Sequence, residues 1–208
     1  HGKVHAVSYE LLNRGKGLAE KLGVPLSTVL LGYQIAETEI QELIYRGAER
    51  VYTVNHPLLE HFLAEPYQQV LTFLIKKYAP EIIIAAATTT GRTIMPYVAT
   101  NKLFAGLTAY CTVLDIEEGT GNLLQPRPAI GGNILATIKT PRARPQMATV
   151  RPKAMKPAGK STEEIADRRA NHAVSLQARP GCLKPHARPA LARRRGRRPP
   201  RFRRRARS

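Results

Sequence analysis

EIIIAAATTTGR (residues 81–92) is the stretch that decides the fold class of this chain. Its first half is the most apolar run in the sequence, and such runs are typical of parallel strands buried on both faces. Its second half combines threonines with a glycine and leads into a segment with helical spacing of apolar residues. The stretch therefore predicts a central buried strand, a short loop over 88–92 and a helix running towards Leu103.

The segments before this stretch alternate between helical and extended patterns. Apolar residues recur at helical spacing over residues 8–22, 36–46 and 66–78, which is the spacing of one buried helix face. Extended apolar runs occupy residues 25–32 and 50–55. Strands that alternate with helices predict βαβ units, and therefore a mostly parallel sheet with helices on both faces.

The pattern changes after Gly106, where short extended runs follow one another without helices between them. Glycine and proline clusters separate these runs, which cover residues 108–116, 123–127, 134–139 and 147–151. Consecutive short strands with such turns are typical of hairpins. We therefore predict antiparallel strands added to one side of the parallel sheet.

Positive charge is concentrated in the last quarter of the chain. The net charge is +18, yet residues 1–155 hold 16 Lys and Arg against 12 Asp and Glu, whereas residues 156–208 hold 17 against 3. The later segment is rich in arginine and proline, so it cannot bury enough apolar surface to offset the entropy of ordering. We predict one domain over 1–155 and, over 156–208, a disordered tail that is not native domain sequence.

The arginine run over 193–207 supports an alternative hypothesis about function. Arginine clusters attract phosphates whatever the base sequence, as in a nucleic-acid-binding protein. The near-neutral body argues against nucleic-acid binding as a property of the whole chain.

Cysteine usage and hydrophobicity exclude several classes of protein. Cys111 and Cys182 are too few for a disulfide framework and lack the spacing of a metal site. Cys111 lies in an apolar run, where we expect a buried thiol. No apolar run reaches the roughly 20 residues that a bilayer span needs, and no secretory signal pattern begins the chain. We expect a soluble, cytoplasmic protein.

Polar clusters in the chain do not predict catalysis or metal binding. His56 and His61 lack a set of cysteine or carboxylate ligands nearby. Asp115, Glu117 and Glu118 precede a glycine and are typical of a polar turn rather than of an acid–base pair. We predict a scaffold that presents loops, with no catalytic residue and no metal site.

Three loops carry the residue types of a binding surface. The loop over 88–92 follows the most apolar strand, at the edge where α/β sheets bind ligands, although it matches neither of the common glycine-rich phosphate patterns. The runs 127–133 and 144–152 combine arginine with paired glycines or with a short strand. A βα connection, a tight hairpin turn and a solvated edge strand are the plain alternatives for the three. A nucleotide-binding regulatory module that uses the first loop also remains open.

Five motifs occur in order along the chain: VHAVSYELL (4–12), AATTTGR (86–92), GLTAYCTVLDI (106–116), RPAIGGNILATI (127–138) and RPQMATVRP (144–152). Together they resemble the amino-terminal domain of electron-transfer flavoprotein alpha subunits. The resemblance covers residues 1–155. The segment HPLLEHFLAEPYQQVL (56–71) resembles the bacterial, electron-bifurcating branch of that family.

The resemblance implies a flavodoxin-like or nucleotide-hydrolase-like α/β fold and an electron-carrier subunit rather than a stand-alone enzyme. In that family the alpha subunit pairs with a beta subunit of similar fold, and its amino-terminal domain is a docking scaffold. A separate carboxyl-terminal domain of alpha binds FAD and is missing here. The heterodimer takes electrons from acyl-CoA dehydrogenases in fatty acid β-oxidation, or from NADH in the bifurcating branch.

The resemblance also implies which residues face the partner. Tyr110 stands where the family commonly has an aspartate and Lys153 where it has a glycine, and the family's first strand is absent before Gly2. The residues implied to face the partner or its flavin are Arg92, Arg127, Gly131, Gly132, Asn133, Arg144 and Arg151. Their positive charges would favour a reduced, anionic flavin.

Overall fold

A computed structural model gives the fold of the chain. The residues that it describes are 3–100, 105–129 and 134–160, together with the backbone of Val174 and Ser175. Most of the predicted tail, including its arginine run, therefore lies outside the described residues. Among those described, no helix is long and apolar enough to cross a membrane.

Four α-helices form where apolar spacing predicts them. They are α1 (Val7–Leu22), α2 (Glu37–Tyr45), α3 (Ala64–Tyr78) and α4 (Thr89–Thr100), and a short 3-10 helix covers Pro57–Leu59. α1 ends at Gly23, which has a left-handed φ of 65° and donates its N–H to the carbonyls of Ala19 and Glu20. Glycine adopts this φ without a steric cost, so it fixes the end of the helix.

The described strands form three small sheets. The strands are β1 (Ser27–Gly32), β2 (Arg50–Asn55), β3 (Ile82–Ala86), β4 (Gly106–Cys111), β5 (Asp115–Ile116), β6 (Leu123–Pro128), β7 (Leu135–Ile138), β8 (Gln146–Val150) and β9 (Val174–Ser175). β2 pairs in parallel with β1 and β9, and β8 pairs in parallel with β3 and β4. β5, β6 and β7 are antiparallel. This architecture confirms the predicted α/β class.

The strand order differs from the prediction in one respect. β8, which we expected among the added hairpins, lies between β3 and β4, and all five of its residues are buried. β3, expected to be the buried central strand, pairs only with β8 among the described strands, and its five residues are half-buried. A strand loses most solvent contact when both edges are paired, and apolar content alone does not reveal that pairing.

Side chains of the strands alternate between two helical layers, as the two-residue period of a strand requires. On one face, Ile84 of β3 and Ala148 of β8 pack in a cluster with Leu18 of α1. On the other face, Ile83 and Met147 pack in a cluster formed by α3 and α4. α1 and α2 therefore cover one face of the parallel strands, and α3 and α4 cover the other.

The segment after β8 crosses back over α1 and α2. The N–H of Ala158 donates to the carbonyl of Tyr9 at 2.8 Å, and Arg46 Nη1 donates to the carbonyl of Ala158 at 2.6 Å. Asn13 Nδ2 donates to the carbonyl of Lys156 at 3.0 Å. Residues 156–160 thus pack against the helices of the domain.

Candidate functional site

Three backbone hydrogen bonds bring the carboxyl ends of β3, β8, β4 and β6 together. Ala87 N–H donates to the carbonyl of Val150 at 2.7 Å, and Arg151 N–H donates to the carbonyl of Cys111 at 2.9 Å. Thr112 N–H then donates to the carbonyl of Pro126 at 3.1 Å. The loops that follow these strands therefore share one edge, where α/β sheets place their ligand and partner contacts.

The loop predicted over 88–92 is largely the first turn of α4. The Thr88 hydroxyl accepts a hydrogen bond from Gly91 N–H at 3.2 Å, which caps the helix. An ideal Cβ atom at Gly91 would lie 1.9 Å from the carbonyl oxygen of Ala86. The glycine therefore allows α4 to start close against the end of β3. Arg92, one residue later, is exposed.

The hydrogen bonds of this turn decide which of its polar groups could contact a flavin or nucleotide phosphate. Cradles for such phosphates use free backbone N–H groups and hydroxyls at a helix start. Here the Thr88 hydroxyl and the Gly91 amide bond to each other, and Thr88 O accepts the N–H of Arg92 at 2.8 Å. The Thr88 hydroxyl and the amides of Gly91 and Arg92 are therefore engaged within the turn itself.

An arginine and a tyrosine form an exposed pair at the same edge. Tyr110 has a left-handed φ of 64°, beside an irregular register between β4 and β8. Its N–H donates to the Thr149 hydroxyl at 3.0 Å. The ring is 41% exposed, and the Arg151 guanidinium carbon lies 5.8 Å from the ring centroid. This arrangement presents a flat aromatic surface and a cation next to each other.

Arg127 brings a second positive charge to this region. It lies on β6 opposite Ala136 of β7 and is partly buried. Cys111 is fully buried, and burial raises the pKa of its thiol to about 11, while the nearby Arg127 guanidinium opposes part of that rise. The thiol is therefore protonated at neutral pH, which agrees with the predicted buried role and not with a reactive one.

The hairpin of β6 and β7 adds apolar surface. Ala129 N–H donates to the carbonyl of Ile134 at 2.7 Å, and Ile134 and Leu135 are each 64% exposed. Val113, between β4 and β5, is also exposed. Gly131, Gly132 and Asn133, which we expected to face a partner, lie outside the described residues.

We call the surface built by these side chains the carboxyl-edge face. It comprises Arg92, Tyr110, Val113, Arg127, Ile134, Leu135 and Arg151. Its aliphatic residues, Val113, Ile134 and Leu135, were not predicted from sequence. Two apolar residues directly after Gly-Gly-Asn in a hairpin nevertheless indicate exposed apolar side chains that can contact a partner.

Arg144 does not belong to the carboxyl-edge face. It precedes β8 at the opposite edge of the sheet, and its Nε donates to Glu81 Oε2 at 2.7 Å. Its other nitrogens donate to Asn122 Oδ1 at 3.4 Å and to the carbonyls of nearby loop residues. These contacts give Arg144 a structural role where β8 begins.

The polar residues that we expected not to be catalytic have local structural partners. Glu117 accepts hydrogen bonds from Thr120, Asn122 and Lys139, around a turn. The His56 imidazole accepts the N–H of Leu58 at 3.1 Å and caps the short 3-10 helix. Within the described residues, no group of histidine, cysteine or carboxylate side chains could hold a metal ion.

Comparison with known proteins places this fold in a family. The family model described as "Electron transfer flavoprotein domain" matches residues 1–174. The electron transfer flavoprotein subunit alpha of Thermoanaerobacterium thermosaccharolyticum is 48% identical over 156 residues, which are 75% of this chain and 46% of that protein. Protein FixB of Rhizobium meliloti is 46% identical over 158 residues, 74% of this chain and 44% of that protein.

A third relative carries a more specific name. The lactate dehydrogenase (NAD(+),ferredoxin) subunit LctC of Acetobacterium woodii is 43% identical over 150 residues, 72% of this chain and 35% of that protein. The chain thus spans less than half the length of each of these three relatives. The family model covers most of the chain, and the curated alpha subunits align along the same region. The chain belongs to the electron transfer flavoprotein domain family.

Proposed function

We propose that this chain is the docking scaffold of an electron transfer flavoprotein alpha subunit and binds a beta subunit of similar fold through the carboxyl-edge face. The observation that carries the proposal is the composition of that face. It joins three arginines, none in an ion pair with a described residue, to four exposed apolar side chains. Arginine and aromatic residues dominate binding energy at protein interfaces, and lysine and glutamate are depleted there.

We do not propose that this chain itself binds a flavin. FAD supplies the electron-carrying group of the assembled heterodimer. The contribution of this chain is positional and electrostatic. Arg127 and Arg151 would hold positive charge at the interface, where it favours a reduced, negatively charged flavin on the partner side.

We also propose a branch of the family and an electron donor for the assembled heterodimer. The name of the relative from Acetobacterium woodii pairs NAD(+) with ferredoxin, and this supports the bifurcating branch. We assign NADH as the electron donor in that branch. Acyl-CoA dehydrogenases are the donor that we assign to the alternative branch. Kinetic reduction of the assembled heterodimer by each donor separates the two.

The docking proposal predicts that Arg127→Ala together with Arg151→Ala weakens beta-subunit binding. We expect the Kd to rise about tenfold or more, because each buried interface arginine contributes on the order of 1 kcal/mol. Isothermal titration calorimetry of each variant with the cognate beta subunit measures this change in Kd. Circular dichroism of each variant establishes that the fold is intact.

The matched control removes the same charge from the opposite edge. Arg50 begins β2 and Arg142 precedes β8, and both are exposed at the amino edge. Arg50→Ala with Arg142→Ala should leave the Kd within about twofold, since rim or distant charges contribute little. An equal loss of affinity in both double variants would assign the effect to net charge and contradict the proposed face. Unchanged binding by the Arg127→Ala, Arg151→Ala variant would also contradict it.

A further inference from the structure

The β6–β7 hairpin packs over one face of the strands β4 and β8. Leu123 of β6 is fully buried in a cluster with Ala148 of β8. Its N–H donates to Gln146 Oε1 at 2.8 Å, and three residues later the Pro126 carbonyl accepts Thr112 N–H at 3.1 Å. The middle of β6 is therefore enclosed between two points of attachment.

A glutamine occupies this enclosed middle of β6. Gln125 is 0% exposed, and the two-residue period of a strand puts its side chain on the same face of β6 as Leu123, towards β4 and β8. Within the described part of the chain, neither Oε1 nor Nε2 of this amide has a hydrogen-bond partner. Buried amide groups are almost always hydrogen-bonded in folded proteins. The Gln125 amide therefore indicates a binding site for a polar molecule.

A second glutamine faces the same space from β8. Gln146 is 1% exposed. Its Oε1 accepts Leu123 N–H, whereas its Nε2 has no partner among the described residues. Leu123 and Gln125 are two residues apart on one face of β6, which is about 7 Å along a strand. The contact with Leu123 thus places the Gln146 amide beside the segment that carries Gln125.

A threonine hydroxyl reaches this space from the segment after β7. An ideal Cβ at Gly106 would lie 2.7 Å from Thr140 Cβ and 3.3 Å from Thr140 Oγ1. Gly106 of β4 is the register neighbour of Gln146, and such neighbours point to the same face of a sheet. The Thr140 hydroxyl therefore lies on the same face as the Gln146 side chain. It too is buried without a partner in the ranges that the structure describes.

We propose that Gln125, Gln146 and Thr140 bind ordered water between the hairpin and the sheet. Their four atoms without partners are one carbonyl oxygen, two NH2 groups and one hydroxyl, and none carries a formal charge. A small uncharged molecule that both donates and accepts hydrogen bonds meets all four. Buried waters typically make about three such bonds each, so roughly one or two molecules suffice. The bound water joins β6 to β8 and to the chain after β7.

This site attaches a hairpin that carries three residues of the carboxyl-edge face. Arg127 lies on β6, and Ile134 and Leu135 lie at the start of β7. Among the described strands, β7 pairs only with β6, so the attachment of β6 to the sheet holds β7 as well. The importance of the water for docking rests on the proposed function, whereas the water site itself does not.

Oxygen-17 magnetic relaxation dispersion counts long-lived internal waters in the intact protein. Gln125→Met keeps the length of the side chain and removes its donor and acceptor, and Thr140→Val removes the hydroxyl from the other side of the site. Gln68→Met is the matched control, because Gln68 is also buried but its Nε2 donates to Thr72 Oγ1 at 2.9 Å within α3. Hydrogen exchange by mass spectrometry follows β6 and β7 in each variant.

We expect Gln125→Met and Thr140→Val each to lose at least one long-lived water, and Gln68→Met to keep the number found in the parent. Exchange in β6 and β7 should accelerate about threefold or more in the two site variants, because the remaining polar atoms lose a partner. It should not change in the control.

An unchanged number of long-lived waters in both site variants would overturn the proposal. So would a crystal structure of the parent in which the amides of Gln125 and Gln146 bond directly to each other, and this second measurement does not depend on the folding of any variant. Neither measurement needs a beta subunit, so a failure of the water site and a failure of the docking proposal are distinguishable.

Discussion

Gly91 connects a single residue to the shape of the carboxyl edge. Its sequence context, three threonines followed by glycine and arginine, suggested a binding loop. The structure gives the glycine a packing reason, because the space that a Cβ would occupy is filled by the Ala86 carbonyl. Sequence alone could not separate these roles, since a glycine needed for close approach to a ligand and one needed for close approach to backbone have the same letter.

A substitution of Gly91 should therefore change the free energy of unfolding in a predictable direction. Gly91→Ala places a methyl group 1.9 Å from the Ala86 oxygen, so α4 must shift away from β3. We expect the free energy of unfolding to fall by about 2 kcal/mol. The matched control is Gly17→Ala in α1, where nothing lies within 4 Å of the new Cβ. That change should stabilise the protein by about 0.5–1 kcal/mol, because alanine favours helix interiors. Chemical unfolding of both variants measures the direction of each change in the free energy of unfolding. A destabilised Gly17→Ala together with an unchanged Gly91→Ala would contradict the packing explanation.

At the scale of elements, local signals predicted the helices and β2 well. The bounds of β2 agree with the predicted run over 50–55, and Ile40, Leu43 and Ile44 form the buried side of α2. The place of β8 was not predicted, because Gln146 and Thr149 give that strand a mixed pattern. Both are nonetheless buried and paired with neighbouring backbone: the Gln146 side chain accepts Leu123 N–H and the Thr149 hydroxyl accepts Tyr110 N–H. Such pairing is a tertiary property that periodicity does not encode.

The turn that joins β5 to β6 should lose its stabilisation in acid. Lys139 and, to a smaller extent, Thr120 and Asn122 lower the pKa of Glu117 from 4.5 to about 2. A carboxyl group whose pKa is lower in the folded state stabilises the fold above its ordinary pKa, and that contribution disappears as the pH falls towards the folded value. We therefore expect Glu117→Gln to destabilise the protein near neutral pH, with the difference from the parent shrinking between about pH 4.5 and pH 2.

Glu118→Gln, in the same turn, is the matched control, because the Glu118 side chain forms no ion pair with a described residue. Its unfolding curves should track the parent at every pH. Urea unfolding over the acid range measures both variants, and added salt should reduce the Glu117 effect because the Lys139 partner is half-exposed. A Glu117→Gln difference that does not change with pH would contradict the role assigned to its charge.

At the scale of the whole molecule, the candidate site was only partly predictable. Arg127 and Arg151 come together near the end of β4, whereas Arg144 and Arg151 flank the two ends of β8 and are separated by about 20 Å of strand. The resemblance implies a partner-facing role for all three because they lie in two of the motifs that carry it, 127–138 and 144–152. The proximity of Arg127 and Arg151 in space depends on the parallel insertion of β8 between β3 and β4, which the sequence pattern did not predict.

Charge divides the molecule into a near-neutral domain and a strongly basic end, and the two should act separately. Residues 179–208 hold 13 Lys and Arg and no Asp or Glu. Under the alternative hypothesis that this segment binds nucleic acid, we expect its deletion to abolish any salt-sensitive retention of the protein on duplex DNA, because such affinity comes from counterion release by cations on phosphates. Binding to the beta subunit should stay within about twofold, since the carboxyl-edge face is untouched. A full-length variant with those 13 residues changed to glutamine is the matched control and separates charge from length. If DNA retention survives both changes, the domain and not the basic segment binds nucleic acid. If either change abolishes beta-subunit binding, the docking surface includes the basic segment.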